Sequence, residues 1–104
     1  MALRVRVCLE RDVPQGRMAA FAVPGVTWPI LVTRRAGQII ATAGVCPHED
    51  VSLADGELRG DTLVCPGHGL GFSIVTGQCA HRSQLQLRRY RVTVHAGEVW
   101  VDLL

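Results

Sequence analysis

The chain has no lysine: all eleven of its basic residues are arginine. Aromatic residues are scarce, at 5%, and no apolar run approaches the about eighteen residues that a membrane-spanning helix needs. No stretch keeps a helical period, and no segment repeats. These absences exclude several classes. Without interleaved aromatics, and with Arg4, Arg6, Arg11, Arg17, Arg34 and Arg35 dispersed along the chain, a nucleic-acid surface is not expected. Arg88, Arg89 and Arg91 form the one basic group, read as a solvated strand face. The N-terminus alternates polar and apolar residues from Leu3 to Leu9 and lacks the apolar core of a signal peptide, so a soluble, cytoplasmic protein without membrane contact is expected. At 104 residues a single domain, 1–104, is expected, too small to carry a catalytic domain beside a metal module.

What is present is strand grammar. Leu3, Val5, Val7 and Leu9 recur at every second position, with Arg4, Arg6 and Cys8 on the opposite face. Strands are expected at 18–23, 30–33 and 39–42, forming an antiparallel meander broken by Pro24-Gly25 and Ala36-Gly37. Further short strands are expected at 62–64, 72–75, 85–95 and 99–103, while 53–60 reads as turn. The phase of alternation slips near Arg88-Arg89, which predicts a bulge there. The class is all-β, a sandwich or small barrel of about eight to ten short strands.

The chemistry is concentrated between Cys46 and His68. Cys46-Pro47-His48 and Cys65-Pro66-Gly67-His68 are two short elbows separated by sixteen residues, each offering one sulfur and one imidazole. Proline after each cysteine stiffens the elbow, and Gly67, Gly69 and Gly71 permit tight turning. A tetrahedral zinc site in a non-redox β module would use the same four side chains. The mixing of Cys and His within each elbow instead suits a two-iron cluster, with each elbow supplying one ligand to each iron. The surrounding window, 45–62, sets Glu49, Asp50, Asp55, Glu57 and Asp61 against Arg59 alone, a local net of −4 in a chain of net +2. Cys79, His81 and His95 have no elbow around them and are read as a free loop cysteine and two surface histidines, Cys8 as structural, and Trp28 and Trp100 as strand-packing residues. A Cys8–Cys79 disulfide is possible in principle but not expected in an intracellular iron–sulfur protein.

The pattern C-P-H-x16-C-P-x-H-G, followed by Phe72 and Thr76-Gly77, resembles the Rieske [2Fe-2S] domain, and the whole chain resembles the small Rieske-type ferredoxins that serve bacterial ring-hydroxylating dioxygenases and related oxygenases. Asp12-Val13-Pro14, Gly16, the stretch from Leu87 to Val92 and Gly97-Glu98-Val99 extend the likeness. It implies a Rieske-like antiparallel β-sandwich with a cluster-binding subdomain of two hairpin loops, about 44–78. It also implies one [2Fe-2S] cluster per chain, with Cys46 and Cys65 on the inner iron and His48 and His68 on the outer, and no catalytic residues. The implied partners are a flavin-containing ferredoxin reductase and a terminal oxygenase, served by a monomer. A small subunit of another oxidoreductase, such as nitrite reductase, is the alternative within the family.

Four departures sharpen the expectation. Val51 and Gly67 stand where high-potential relatives carry a disulfide across the cluster, and Leu70 and Phe72 stand where they carry hydroxyl groups. Fewer hydrogen bonds to sulfur, with Glu49 and Asp50 beside His48, imply a potential nearer roughly −150 mV than +300 mV. Gly67 replaces a bulky residue, and Gln78-Cys79-Ala80-His81-Arg82 replaces a proline-containing cover. Either the cluster is unusually exposed or residues near Arg82 cover it another way.

Overall fold

A computed structural model of the protein describes residues 3–67 and 69–103. Among them, nine strands form two antiparallel sheets. These are β1 (Arg4–Leu9), β2 (Ala19–Phe21), β3 (Ile30–Arg35), β4 (Gln38–Ala43), β5 (Glu57–Arg59), β6 (Thr62–Val64), β7 (Gly71–Ser73), β8 (Arg89–His95) and β9 (Glu98–Asp102). The larger sheet runs β1-β9-β8-β4-β3-β2, and the smaller runs β5-β6-β7. The all-β architecture, the β2-β3-β4 meander and the Ala36-Gly37 turn match the expectation. Ala36 and Gly37 both take positive φ, 50° and 77°, as a two-residue hairpin turn twisted to suit its strands requires. Ala96 and Gly97 repeat the device between β8 and β9.

β3 and β4 of the larger sheet stand between two cores, one inside that sheet and one against the smaller sheet. Ile30, Leu31 and Val32 are fully buried, because a continuous apolar run leaves neither face of the strand in water. Ile30 and Val32 pack with Val7, Val99 and Val101 inside the larger sheet. Leu31 and Ile40 pack on the opposite side with Leu63, Phe72 and Leu87, beneath the metal elbows. Thr33, buried in the same strand, satisfies its hydroxyl by donating to the carbonyl of Arg17 at 2.7 Å.

Three local expectations are corrected. Regular alternation in β1 would put Cys8 on the polar face, but the register steps from Arg6↔Trp100 to Cys8↔Val99, a bulge that turns both Val7 and Cys8 inward. The slip near Arg88-Arg89 is not a bulge: Gln86 bridges Gln78, Leu87 enters the core beneath the elbows, and β8 starts afterwards with one-to-one register. Finally, the stretch read as turn contains a 3-10 turn, Leu53–Asp55, capped by the Ser52 hydroxyl on Ala54 N at 3.2 Å, and then β5. A three-residue strand with one apolar residue has no period to read; its pairing with β6 creates it.

Candidate metal centre

Each elbow is the tip of a hairpin loop, and the two loops are built alike. The Cys46 N–H donates to the Val51 carbonyl at 3.0 Å, and the Cys65 N–H donates to the Leu70 carbonyl at 2.8 Å, the same five-residue span. Val45↔Ser52 closes the base of the first loop, and Val64↔Gly71 closes the second. Within the tips, Glu49 N–H donates to the Cys46 carbonyl at 3.3 Å, and Gly69 N–H, at a glycine with φ of 68°, to the Cys65 carbonyl at 3.0 Å. The first loop leaves the larger sheet directly from β4, and the second leaves the smaller sheet from β6. Gly44 makes the first departure possible, since a Cβ there would collide with the Pro29 carbonyl oxygen.

This construction brings the two cysteines together. Cys46 and Cys65 are both buried, and the Cys65 thiol lies close enough to act on that of Cys46. Burial pushes the Cys46 thiol up from its ordinary value, and the Cys65 contact adds to this; the backbone N–H groups of His48 and Glu49 near the sulfur oppose it. N–H groups pointing at a sulfur favour its anionic form, the form that binds metal. The net shift is upward, so a metal must displace the proton on binding; two buried sulfurs side by side are the donor chemistry a thiolate-bound iron takes. His48 is half-buried with its Nδ1 sealed from solvent, while Pro47, Pro66 and Gly67 lie on the exposed rim. Among the described residues, no three His, Cys, Asp or Glu side chains form a ready-made ligand cluster. His68 lies outside the described residues.

The remaining sites sort as follows. Gly67 is exposed, yet the space a side chain would take is filled: a Cβ there would meet the Glu49 carboxylate and lie 3.4 Å from Val51 Cγ2. The two elbows thus touch through Glu49 and Gly67. Leu70 and Phe72 are buried in the core beneath the elbows and bring no hydroxyl there. The chain after β7 is pinned to it, with a bridge from Phe72 to Cys79 and the Ala80 N–H donating to the Gly71 carbonyl at 2.8 Å. Arg82 itself is exposed. Cys79 is free and lies in the connection between β7 and β8, as expected, but its thiol is buried in the same core as Cys46 and Cys65. Cys8 is also free and belongs to the other core, so the two are not joined. His81 and His95 are exposed as expected. Trp100 packs in β9, whereas Trp28 lies between β2 and β3 rather than in a strand. Within the acidic window, Asp61 pairs with Arg35 at 2.7 Å and Glu57 with Arg59 at 3.0 Å, and Asp50 and Asp55 are exposed. Sequence reasoning missed the backbone donors to Cys46 and the Glu49–Gly67 contact; proline after cysteine signalled a stiff elbow but not where its N–H groups point.

The Rieske [2Fe-2S] domain family matches residues 4–91. The ferredoxin CarAc of Metapseudomonas resinovorans is 35% identical over 98 residues, 93% of this chain and 91% of that protein. The structure is similar to the ferredoxin of Sphingomonas yanoikuyae B1, with a TM-score of 0.84 and 29% identity over 98% of this chain and all of that one. It is also similar to a chain in the complex of reduced oxygenase and oxidized ferredoxin in carbazole 1,9a-dioxygenase, with a TM-score of 0.81 and 34% identity over 95% of this chain and 92% of that one. A cofactor of two irons, rather than a single zinc, is what this family carries. Two matched hairpin loops on a curled antiparallel scaffold, a buried cysteine pair between them and a family match over most of its length make this chain a member of the Rieske [2Fe-2S] family.

Proposed function

We propose that the chain is a single-domain Rieske ferredoxin, 1–104, in which Cys46 and Cys65 bind one iron of the [2Fe-2S] cluster and His48 and His68 bind the other. The observation that carries this is the placing of two buried, neighbouring cysteines at the tips of two alike loops. The cluster supplies reversible one-electron transfer. The protein's part is to exclude water from the sulfurs, through Leu70, Phe72 and Leu53 packed beneath them, and to present the proline-flanked elbow rim to a partner. Its partners are a flavin-containing reductase as donor and a terminal oxygenase as acceptor, by analogy with the ferredoxin in the carbazole dioxygenase complex. No side chain acts on a substrate, so the chain is a carrier and not an enzyme. It works as a cytoplasmic monomer; among the described residues no helix is long and apolar enough to cross a membrane.

The test is cluster retention. Alanine at Cys46, His48, Cys65 or His68 should each abolish the iron, the sulfide and the reduced-state EPR signal, whereas Cys79→Ala should keep all three. Full iron content in any of the four, or loss of the cluster from Cys79→Ala, would refute the assignment.

A further inference from the structure

β4 and β8 pair only through Ala41↔Tyr90 and Thr42↔Arg89, continued by the Ala43 N–H on the Arg88 carbonyl at 3.0 Å. β4 nevertheless reaches back to Gln38, held on its other flank by β3, and β8 runs on to His95, held by β9. Gln38–Ile40 and the part of β8 beyond Tyr90 therefore face one another without a ladder between them. The result is a cleft of about 650 Å³. Unpaired strand edges are ordinarily blunted or covered, because they pair readily with another chain.

The charge of this cleft is unbalanced. Arg34, Arg89 and Arg91 line it against Glu10 as the one acidic residue, with Ile39 and Val92 as apolar wall. Outside the cleft Arg4, Arg6, Arg35 and Arg59 are each matched by a carboxylate, while Arg11, Arg17, Arg82 and Arg88 are dispersed and, among the described residues, form no ion pair. Arg89 and Arg91 are exposed and, among the described residues, form no ion pair. Arg34 is held in place by donating to the Glu10 carbonyl at 2.9 Å. Open backbone edges, aliphatic walls and fixed positive charge together match an extended acidic polypeptide, which would take backbone hydrogen bonds from the strands and place its carboxylates on the arginines. A small anion would leave the strand edges unused.

We infer that the cleft between β4 and β8 is a docking groove for an extended acidic segment of a partner protein. β4 runs from the cleft at Gln38 toward the first elbow beyond Ala43, so the groove lies at the opposite end of β4 from Cys46. A segment held there leaves the elbow rim open, which makes the groove a tether rather than an electron exit. The inference stands apart from the cluster assignment.

The experiment is an NMR titration of the ¹⁵N-labelled holoprotein with a synthetic peptide of about eight residues alternating glutamate and threonine. Saturable shifts should appear in the amides of Gln38–Ile40 and Arg91–Val94. The R89E/R91E variant should bind about tenfold more weakly or worse, with its visible and EPR spectra unchanged to show that the fold is kept. The same peptide with glutamine for glutamate should not bind. The inference is overturned if the shifts are absent or centre on the elbows, if R89E/R91E binds as tightly as the natural sequence, or if inorganic phosphate alone reproduces the shifts at equal concentration.

Discussion

At the scale of single residues, the glycines at the site do different jobs. Gly44 is buried with the Pro29 carbonyl where its Cβ would be, and backbone cannot step aside. Gly67 faces only the end of the Glu49 side chain and an ordinary contact with Val51. Gly44→Ala is therefore expected to cost about 3 kcal/mol, and Gly67→Ala under about 1 kcal/mol, as read from denaturation midpoints of the two variants. Equal losses would show that the Glu49 carboxylate is held as rigidly as the Pro29 carbonyl. Phe72 bears on electron affinity. Its ring is fully buried beneath the elbows and offers no donor, so Phe72→Tyr should raise the reduction potential by about 40 mV, the one-electron equivalent of ~1 kcal/mol for one new hydrogen bond. A redox titration of the variant with an unchanged or lower midpoint would contradict this.

At the scale of elements, the two metal loops depend on the seam between the sheets. Leu31 and Ile40 bury the apolar side of that seam, and the Arg35–Asp61 pair crosses its solvent edge from the end of β3 to the β5–β6 turn. The Arg35 guanidinium, by hydrogen bond and charge, holds the Asp61 carboxyl below its ordinary value of 3.8. A carboxyl lowered on folding contributes stability above its unfolded pKa and loses that contribution as pH falls through its folded one. Melting temperatures of the natural sequence and of Asp61→Asn should consequently differ at pH about 7 and converge by about pH 2. Because both side chains are nearly half exposed, at 43% and 45%, the difference should be small and should shrink with salt. A gap that persisted in acid would place the origin elsewhere. Element by element, strands with an internal period or an apolar run, such as β3, β4 and β6, were legible in the sequence. β5 and the β1 bulge were not, because each exists through a neighbour: β6 in one case, the register with β9 in the other.

At the scale of the whole molecule, charge is segregated. The segment from Val45 to Thr62 is acidic, and the cleft between β4 and β8 is basic. Pairing of Asp61 and Glu57 with arginines weakens the acidic field but leaves Asp50 and Asp55 exposed near the elbows. Electron transfer to a partner with a basic docking face should slow about tenfold between low and physiological ionic strength, and stopped-flow rates across a salt series would measure it. A flat series would remove the acidic window from the docking surface.

The amino-acid sequence alone determined the four candidate ligands, the all-β class, the positions of the Gly-containing turns and the local sign of charge, because each is written in short-range pattern: elbow spacing, alternation, residue types that tolerate positive φ. Only the tertiary structure decided that the Cys46 and Cys65 thiols come together, that the backbone N–H groups of His48 and Glu49 lie near one of them, and that Glu49 fills the space beside Gly67. It also decided that Cys8 and Cys79 sit in separate cores and that β4 and β8 part beyond Ala41. Most of these are contacts between segments far apart in the chain, set by how the two sheets pack, and no local pattern of residues carries that information.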